Sequence, residues 1–190
     1  MQVLRSYLDA FHPLPEAAFG ALVQRLEPVA YARRAVMTAQ GETQRNLLFI
    51  LEGIQYSYYL DEAGRQHVVA FTYPLSVSGL PESFLTQRPA RYSLEALTDT
   101  QALGLSFGYL QLLYDEFPPI ERLFRKLAET LLIGMVERQH EWLSTSAEER
   151  FRNLARRSPH LFSQVPHRLL ASYLRIDATN FSRFFNSVKF

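Results

Sequence analysis

The segment from Phe117 to Leu143 restricts the fold of this 190-residue chain most strongly, because its spacing predicts one uninterrupted helix of about seven turns. The tandem Pro118 and Pro119 fit a first helical turn but not a helix interior, so they mark its start. Apolar residues with helical spacing then form a stripe too wide for one packing partner: Ile120, Leu123, Phe124, Leu127, Ala128, Leu131, Leu132, Met135, Val136, Trp142 and Leu143. We expect one surface to pack on the body of the same chain and the other, near Ala128 and Gly134, to pair with a second chain. The alternative is a core helix of a monomer.

Composition points to a soluble globular protein, with 47% hydrophobic and 21% charged residues. No apolar run approaches the roughly 20 residues that span a bilayer, and the N-terminus lacks the basic-then-apolar layout of a signal peptide. We therefore expect a cytoplasmic protein without a membrane partner. The absence of cysteine excludes disulfides, cysteine-ligated iron–sulfur clusters and cysteine-containing zinc sites.

Charge is distributed unevenly along the chain. Residues 144–190 carry eight Arg and Lys against three Asp and Glu, whereas residues 1–143 carry 12 against 16. This split is typical of a phosphate-binding appendage on a body that does not bind phosphate, although a basic segment can equally be a solvated face.

The body of the chain predicts a β-structure that follows two short amphipathic helices. Helical spacing covers residues 4–11 and 19–26, and the period then changes to two. We predict strands over Val29–Tyr31, Val36–Thr38, Leu47–Leu51, Ile54–Leu60, Val68–Tyr73, Arg91–Leu97 and Ala102–Leu105. Gly53 is typical of a bulge, Asp61–Gly64 predicts a hairpin turn, and Ile54, Tyr56, Tyr58 and Leu60 are expected to share one face.

This layout resembles the Crp/Fnr family of bacterial transcription regulators across essentially the whole chain. The resemblance rests on Gly41-Glu42, the run FILEG from Phe49, the hairpin YYLDEAGRQHVVAF and the tail LASYLRIDATNFSRFF. It implies an α+β fold: an N-terminal β-roll (double-stranded β-helix) with flanking helices, a long dimerisation helix and a C-terminal helix-turn-helix. The corresponding domains are a sensor roll over residues 1–116, the dimerisation helix over 117–143 and a DNA-binding domain over 144–190.

The tail predicts two crossing helices independently of the resemblance. Leu169, Leu170, Tyr173 and Leu174 supply an inward face, and Asp177 is a suitable N-cap for a helix over 178–188. Phe181, Phe184 and Val188 fall on one side of that helix, and polar residues fall on the other.

Those polar side chains carry the amide, guanidinium and hydroxyl groups that form hydrogen bonds with bases and phosphates in a major groove of double-stranded DNA. We predict base contacts from Asn180 and Arg183, with Thr179 and Ser182 positioning the DNA backbone. The full predicted DNA-binding set is Thr179, Asn180, Ser182, Arg183, Asn186, Lys189 and Arg168. The alternative is a helical hairpin with a merely polar outer face.

Two features depart from the family pattern in this tail. Arg175 stands in the turn where family members usually have glycine, and we expect the last helix to lack a following β-wing. Backbone contacts would then come from arginines that are alternatively just solvated: Arg150, Arg152, Arg156, Arg157 and Arg168.

The nucleotide pocket implied by the resemblance lacks its usual charged residues. Gly79 is followed by Leu80 where the family has Glu, and the place of the pocket arginine falls on Ala90. Arg91, one residue on, would point to the opposite face of a strand. Candidate pocket residues are Gly79, Leu80, Glu82, Arg88, Arg91 and Tyr92, with Glu82 and Arg88 reaching in from shifted positions. The aromatic lining is interpreted as core, with an unknown small-molecule effector as the alternative.

An enzyme is not expected, because neither catalytic nor metal-binding residues are apparent. The five histidines are scattered, and no Gly-rich phosphate loop, nucleophile elbow or paired carboxylates occur. We therefore predict no cofactor. The interpretation is a homodimeric DNA-binding regulator that does not respond to cAMP. The alternative is a ligand-sensing or protein-interaction module of the same architecture that does not bind DNA.

Overall fold

The structure, a computed structural model, describes residues 1–187 and divides them into two compact units. The first unit comprises residues 1–57 and 71–133. The second comprises the hairpin residues 58–70 and the chain from residue 134 onward. The functional division at residues 116 and 143 remains a prediction.

The strands and helices follow the order that the periodicity indicates, with some additions. The strands are β1 Glu27–Tyr31, β2 Val36–Thr38, β3 Asn46–Glu52, β4 Gln55–Leu60, β5 Gln66–Thr72, β6 Ser76–Ser78, β7 Ser93–Ala96 and β8 Thr100–Ser106. The helices are α1 Gln2–Asp9, α2 Glu16–Gln24, α3 Pro81–Thr86, α4 Phe107–Glu116, α5 Pro118–Ser144, α6 Ala147–Arg157, α7 His160–Gln164, α8 His167–Leu174 and α9 Ala178–Ser187. The predicted strands are confirmed within a few residues, whereas β6, α4 and α7 were not predicted.

The strands form two four-stranded sheets, in the orders β1-β8-β3-β6 and β2-β7-β4-β5. Strand β8 pairs antiparallel with both β1 and β3, and β3 also pairs antiparallel with β6. Strand β5 is therefore an edge strand, whose outer backbone groups need partners outside its own sheet.

Gly53 lies where the chain leaves β3 and approaches a neighbouring turn closely. Its φ of +91° is in the region that favours glycine, and a Cβ atom there would lie 2.3 Å from the carbonyl oxygen of Asp99. The register of β3 against β8 shifts between Ile50 and Glu52. The bulge therefore lies at Leu51, two residues before the predicted Gly53, which occupies the close turn between β3 and β4.

The predicted alternation in β4 is wrong, because a polar network buries side chains on both faces of the strand. Gln55 is completely buried, donates to the hydroxyl of Thr100 at 3.0 Å and accepts from Thr72 at 3.1 Å. Tyr56 is buried as well, whereas Leu60 is 51% exposed. Satisfied hydrogen bonds allow Gln55 to occupy a core position that periodicity alone assigns to apolar residues.

The core of the first unit joins the N-terminal helices to α4 and the start of α5. Ser106 caps α4 by accepting from the backbone N–H of Tyr109 at 3.2 Å. The buried members of this core are Leu4, Leu8, Leu14, Ala18, Leu22, Phe49, Phe84, Leu105, Leu110, Leu113, Ile120, Leu123 and Phe124.

Helix α5 confirms the predicted long helix, which begins at Pro118 and ends at Ser144. Its first turns are buried in the first unit, but its later apolar residues are exposed in the single chain: Leu131 48%, Leu132 62%, Ile133 58%, Met135 60%, Val136 58% and Leu143 81%. A second chain on this face remains a prediction.

The helical part of the second unit packs around phenylalanine rings. Phe151 of α6 is completely buried and makes edge-to-face contacts with Phe162 at 5.1 Å and Phe181 at 5.2 Å. Ser146 and Glu149 form a capping box that fixes the start of α6. These contacts hold α6, α7 and α9 together.

Candidate nucleic-acid interface and β-roll pocket

Helices α8 and α9 are joined by the three-residue turn Arg175–Asp177, as the tail pattern predicts. Leu170 of α8 is completely buried, and Leu169 and Leu174 are each 4% exposed. The inward face of α8 is therefore apolar and fixes how its outer face is presented.

Asp177 caps α9 and orders its first turn. One carboxylate oxygen accepts from the backbone N–H of Asn180 at 2.9 Å, and the other accepts from the side-chain amide of Asn180 at 2.5 Å. These hydrogen bonds, that from the Asn180 backbone first, lower the pKa of the Asp177 carboxyl below its ordinary value. The predicted N-cap is confirmed.

The two sides of α9 differ as expected. Phe181 and Phe184 are buried, with 1% and 5% of their surfaces exposed. Four predicted DNA-binding residues of α9 are exposed, as is Arg168 on α8: Thr179, Ser182, Arg183 and Asn186. Lys189 and Val188 lie outside the described residues.

Asn180 differs from the other predicted contact residues because its amide already has a partner. The side chain is half-buried and donates to Asp177 across the first turn of α9. Its amide is thus held against the N-cap carboxylate, whereas Arg183 is exposed with its guanidinium 5.1 Å from the ring centroid of Phe184. Arg183 is therefore the more accessible of the two predicted base-reading residues.

Arg150 is anchored inside the second unit rather than presented outward. Its guanidinium donates to the carbonyl oxygens of Thr145 at 2.8 Å, Leu174 at 2.9 Å and Arg175 at 3.3 Å. The bonds to Leu174 and Arg175 satisfy carbonyls at the end of α8, which a helix C-terminus leaves without intrahelical partners. Sequence reasoning offered Arg150 as a phosphate contact and missed this capping position.

The remaining arginines of α6 lie at the surface. Arg152 is paired with Glu148 of the same helix at 2.6 Å, an exposed contact that contributes little to stability. Arg156 and Arg157 are exposed at the end of α6. These two side chains and Arg168 are exposed cations of the second unit, and a phosphate contact from each stays a prediction.

A contact that the sequence did not indicate joins the hairpin strand β5 to α8. The hydroxyl of Ser172 accepts from the backbone N–H of Val68 at 3.0 Å and donates to the carbonyl of Gln66 at 3.3 Å. Arg138 of α5 donates to the carbonyl of Val69 at 2.7 Å, and its guanidinium lies 4.9 Å from the ring centroid of Tyr173. The outer edge of β5 thus obtains its hydrogen-bond partners from helices of the second unit.

The β-roll positions that the resemblance assigns to nucleotide binding are filled by apolar side chains. Leu80, Ala90 and Leu94 form a buried cluster with exposed fractions of 2%, 4% and 1%, and Tyr92 packs against it. Ala90 has no charge to pair with a phosphate. Burying a phosphate in this apolar cluster would therefore cost free energy, because the anion would lose its hydration.

The charged candidates lie outside this cluster. Arg88 and Arg91 have exposed side chains, and the backbone N–H of Arg91 donates to the carboxylate of Glu82 at 3.4 Å. Gly79 has a φ of +153° and lies beside the side chain of Gln44. The structure therefore brings Glu82 near Arg91 by a backbone contact and leaves the guanidinium of Arg91 exposed.

A buried polar group near the cluster was missed by the sequence reasoning. Gln44 is 3% exposed; its side-chain oxygen accepts from the hydroxyl of Thr38 at 2.7 Å, and its backbone N–H donates to Ser83 at 3.0 Å. Ser83 in turn donates to the carbonyl of Arg88 at 2.6 Å. These hydrogen bonds fix the loop around α3 from within.

Within residues 1–187, no helix has the length and apolar content needed to cross a bilayer. Over the same residues, no cluster of three or more His, Asp or Glu side chains is placed to hold a metal ion.

Residues 28–117 match the family model of the cyclic nucleotide-binding domain. No curated protein matches the sequence significantly.

Similar solved structures include three that cover most of the chain. The Thermus thermophilus catabolite activator protein is 21% identical, with a TM-score of 0.59, over 93% of this chain and 84% of its own. FixK2 from Bradyrhizobium japonicum is 20% identical, with a TM-score of 0.70, over 85% and 83%. DNR from Pseudomonas aeruginosa is 22% identical, with a TM-score of 0.58, over 98% and 85%. Residues 28–117 thus match the cyclic nucleotide-binding domain family, and the chain has the fold of these three solved proteins.

Proposed function

We propose that this protein is a homodimeric DNA-binding transcription regulator whose recognition helix is α9. The observation that carries the proposal is the two-sided character of α9, which buries Phe181 and Phe184 and exposes Thr179, Ser182 and Arg183. Asp177 secures the first turn of this helix. A short helix held in this way presents arginine and hydroxyl groups to a major groove.

The proposed dimer forms through the exposed apolar stripe of α5. Leu132 and Val136 are one helical turn apart and expose 62% and 58% of their surfaces. Burying such a stripe against a second copy would remove apolar surface from water and place two α9 helices on one assembly. Two recognition helices separated by about 34 Å would enter successive major grooves.

The proposed regulator does not respond to a cyclic nucleotide. The interior position expected for a phosphate-binding arginine is Ala90, packed beside Leu80 and Leu94. An anion there would lose its hydration without gaining a paired charge. We propose that any effector of the roll is a molecule other than a cyclic nucleotide.

The proposal is tested by replacing Arg183 with alanine and measuring binding to a selected operator by fluorescence anisotropy. If Arg183 reads a guanine, the Arg183→Ala variant loses about 1–3 kcal/mol of specific binding free energy. Arg33→Ala removes an exposed arginine from the β1–β2 turn and is the matched control, expected to bind like the parent. An Arg183→Ala variant with parental operator affinity would remove Arg183 from the interface.

The second candidate function is a sensing or protein-interaction module that does not bind DNA. It is favoured by two arginines that already have partners within the chain, since Arg150 donates to backbone carbonyls and Arg152 pairs with Glu148. Selection of bound fragments from genomic DNA decides between the two: enrichment of a common half-site supports the regulator, and no enrichment supports the module.

A further inference from the structure

We propose that Arg175 is a positioning residue, which fixes the α8–α9 turn to the end of the long helix α5 by stacking on Trp142. The inference rests on the proposed function, because it assigns to this pair the orientation of α9 on DNA. Its first observation is geometric: the Arg175 guanidinium carbon lies 4.0 Å from the ring centroid of Trp142. This is well within the range of a cation–π contact.

The backbone of Arg175 supplies the second observation. Its φ of 55° and ψ of 49° place it in the left-handed conformation, which side chains other than glycine adopt at a cost in free energy. Glycine would satisfy the same turn without that cost. An arginine at this position therefore implies that its side chain contributes something that glycine lacks, and the contact with Trp142 is that contribution.

The surroundings of the pair show how a contact at the turn is transmitted to α9. Arg175 precedes Asp177, the cap of α9, by two residues, so holding its side chain restricts the start of that helix. One helical turn before Trp142, Arg138 of α5 stacks on Tyr173 of α8. Two cation–π pairs thus connect these elements. In one, Arg138 of α5 stacks on Tyr173 of α8; in the other, Arg175 of the turn stacks on Trp142 of α5. Any change in the pairing of two α5 helices would be transmitted through these pairs.

The test compares three substitutions in the full chain. Arg175→Gly removes the side chain while relieving the backbone, Trp142→Leu removes the ring, and Arg175→Lys keeps the charge without the planar guanidinium. Arg34→Gly is the matched control, because Arg34 is also an exposed arginine with a positive φ, of 68°, but lies in the β1–β2 turn.

DNA affinity is the first measurement. We expect Arg175→Gly and Trp142→Leu each to weaken operator binding about two- to fivefold, Arg175→Lys to weaken it less, and Arg34→Gly to have no effect. In the double variant the losses should not add, because both substitutions remove one contact. Parental affinity in Arg175→Gly, or additive losses in the double variant, would overturn the proposal.

Two further measurements do not depend on DNA. Trp142 is the single tryptophan of the chain, so acrylamide quenching of its fluorescence reports on this contact directly. We expect quenching to increase in Arg175→Gly and to stay parental in Arg34→Gly. Amide exchange at the first turn of α9 should accelerate in Arg175→Gly while the midpoint of thermal unfolding stays the same or rises.

If Arg175 only strained the backbone of the turn, the opposite result would follow. Glycine would relieve that strain, and amide exchange at the first turn of α9 would become slower. Slower exchange or unchanged quenching would overturn the positioning assignment. If the parent binds no DNA while exchange and quenching change as expected, the contact is supported and the proposed function alone fails.

Discussion

The hydroxyl of Ser172 on α8 takes the place of a neighbouring strand at the edge of β5, since it accepts from the backbone N–H of Val68 at 3.0 Å. It also donates to the carbonyl of Gln66, two residues earlier on the same strand. The N–H of one residue and the C=O two residues before it point to the same edge of a strand. One serine side chain therefore satisfies a pair of edge groups that would otherwise need water.

Replacing Ser172 with alanine should destabilise the second unit by about 0.5–1.5 kcal/mol, the net contribution of a typical hydrogen bond. The Val68 N–H would lose its acceptor, so its hydrogen exchange should accelerate. Denaturant unfolding and residue-resolved exchange measure the two effects. The control is Ser163→Ala, which removes an exposed hydroxyl bonded only within α7 and its flanks. Unchanged protection of the Val68 amide in Ser172→Ala would contradict the contact.

Asp177 should make the stability of α9 depend on acid. Its pKa is lowered in the folded chain, chiefly by the hydrogen bond from the Asn180 backbone, so the stabilisation is present above the unfolded pKa of about 3.9 and lost as pH falls through the folded value. Asp177→Asn should retain the cap at neutral pH and lose part of the acid dependence, because asparagine is also a good N-cap. Asp177→Ala should lower the thermal midpoint at pH 7.

Thermal unfolding between pH 7 and pH 2, for the parent and both variants, checks this expectation. The account is contradicted if Asp177→Asn shows the same acid dependence as the parent, or if Asp177→Ala leaves the neutral midpoint unchanged.

The double substitution Leu132→Lys and Val136→Lys should dissociate the proposed dimer. Both side chains are exposed in the single chain, so lysines there would be tolerated by the fold but would place like charges across a paired stripe. Sedimentation equilibrium should give about 22 kDa for the variant and about twice that mass for the parent. Glu137→Lys, an exposed change on the same helix, should remain dimeric. A monomeric parent would end the dimer proposal.

Cyclic nucleotides should leave the thermal midpoint of the protein unchanged. A ligand at about 100 times its dissociation constant stabilises the folded state by about 2.7 kcal/mol, which a melting curve detects easily. We expect no shift with cAMP or cGMP at about 1 mM, because Ala90 and Leu80 supply no charge for the phosphate. A shift at that concentration would show that Arg88 or Arg91 reaches the roll interior.

Periodicity located most elements because one face of each is buried, but it missed those whose signals are not periodic. Helix α4 directly follows β8, and its start is marked by the Ser106 cap, a signal that the sequence contained. Helix α7 has five residues, too few to show a helical repeat. The alternating pattern of β4 did not reveal the burial of Gln55, because that burial depends on hydrogen bonds from Thr72 and to Thr100, which lie far along the chain.

The sequence predicted the helices and the buried face of the candidate interface, but it did not predict the hydrogen-bond partners of the side chains there. The cap by Asp177 and the burial of Phe181 follow from local spacing. Whether a side chain is free to reach DNA depends on neighbours that spacing does not reveal, such as the carbonyls that hold Arg150. Asn180 lies three residues after Asp177 and bonds to it twice. The hydrogen bond from the backbone N–H of Asn180 was predicted as part of the cap, whereas the hydrogen bond from its side-chain amide was not.

The central claim is that this protein binds duplex DNA through paired α9 helices and their flanking arginines, and the salt dependence of binding tests it most directly. About six to ten phosphate contacts per dimer predict that the logarithm of the association constant falls with the logarithm of salt concentration with a slope of about −5 to −9. Arg156→Ala, which removes one exposed cation per chain at the end of α6, should make that slope shallower by about two. A steep linear fall that is shallower in Arg156→Ala is the predicted result; no binding at low salt, or a flat response, would contradict the account.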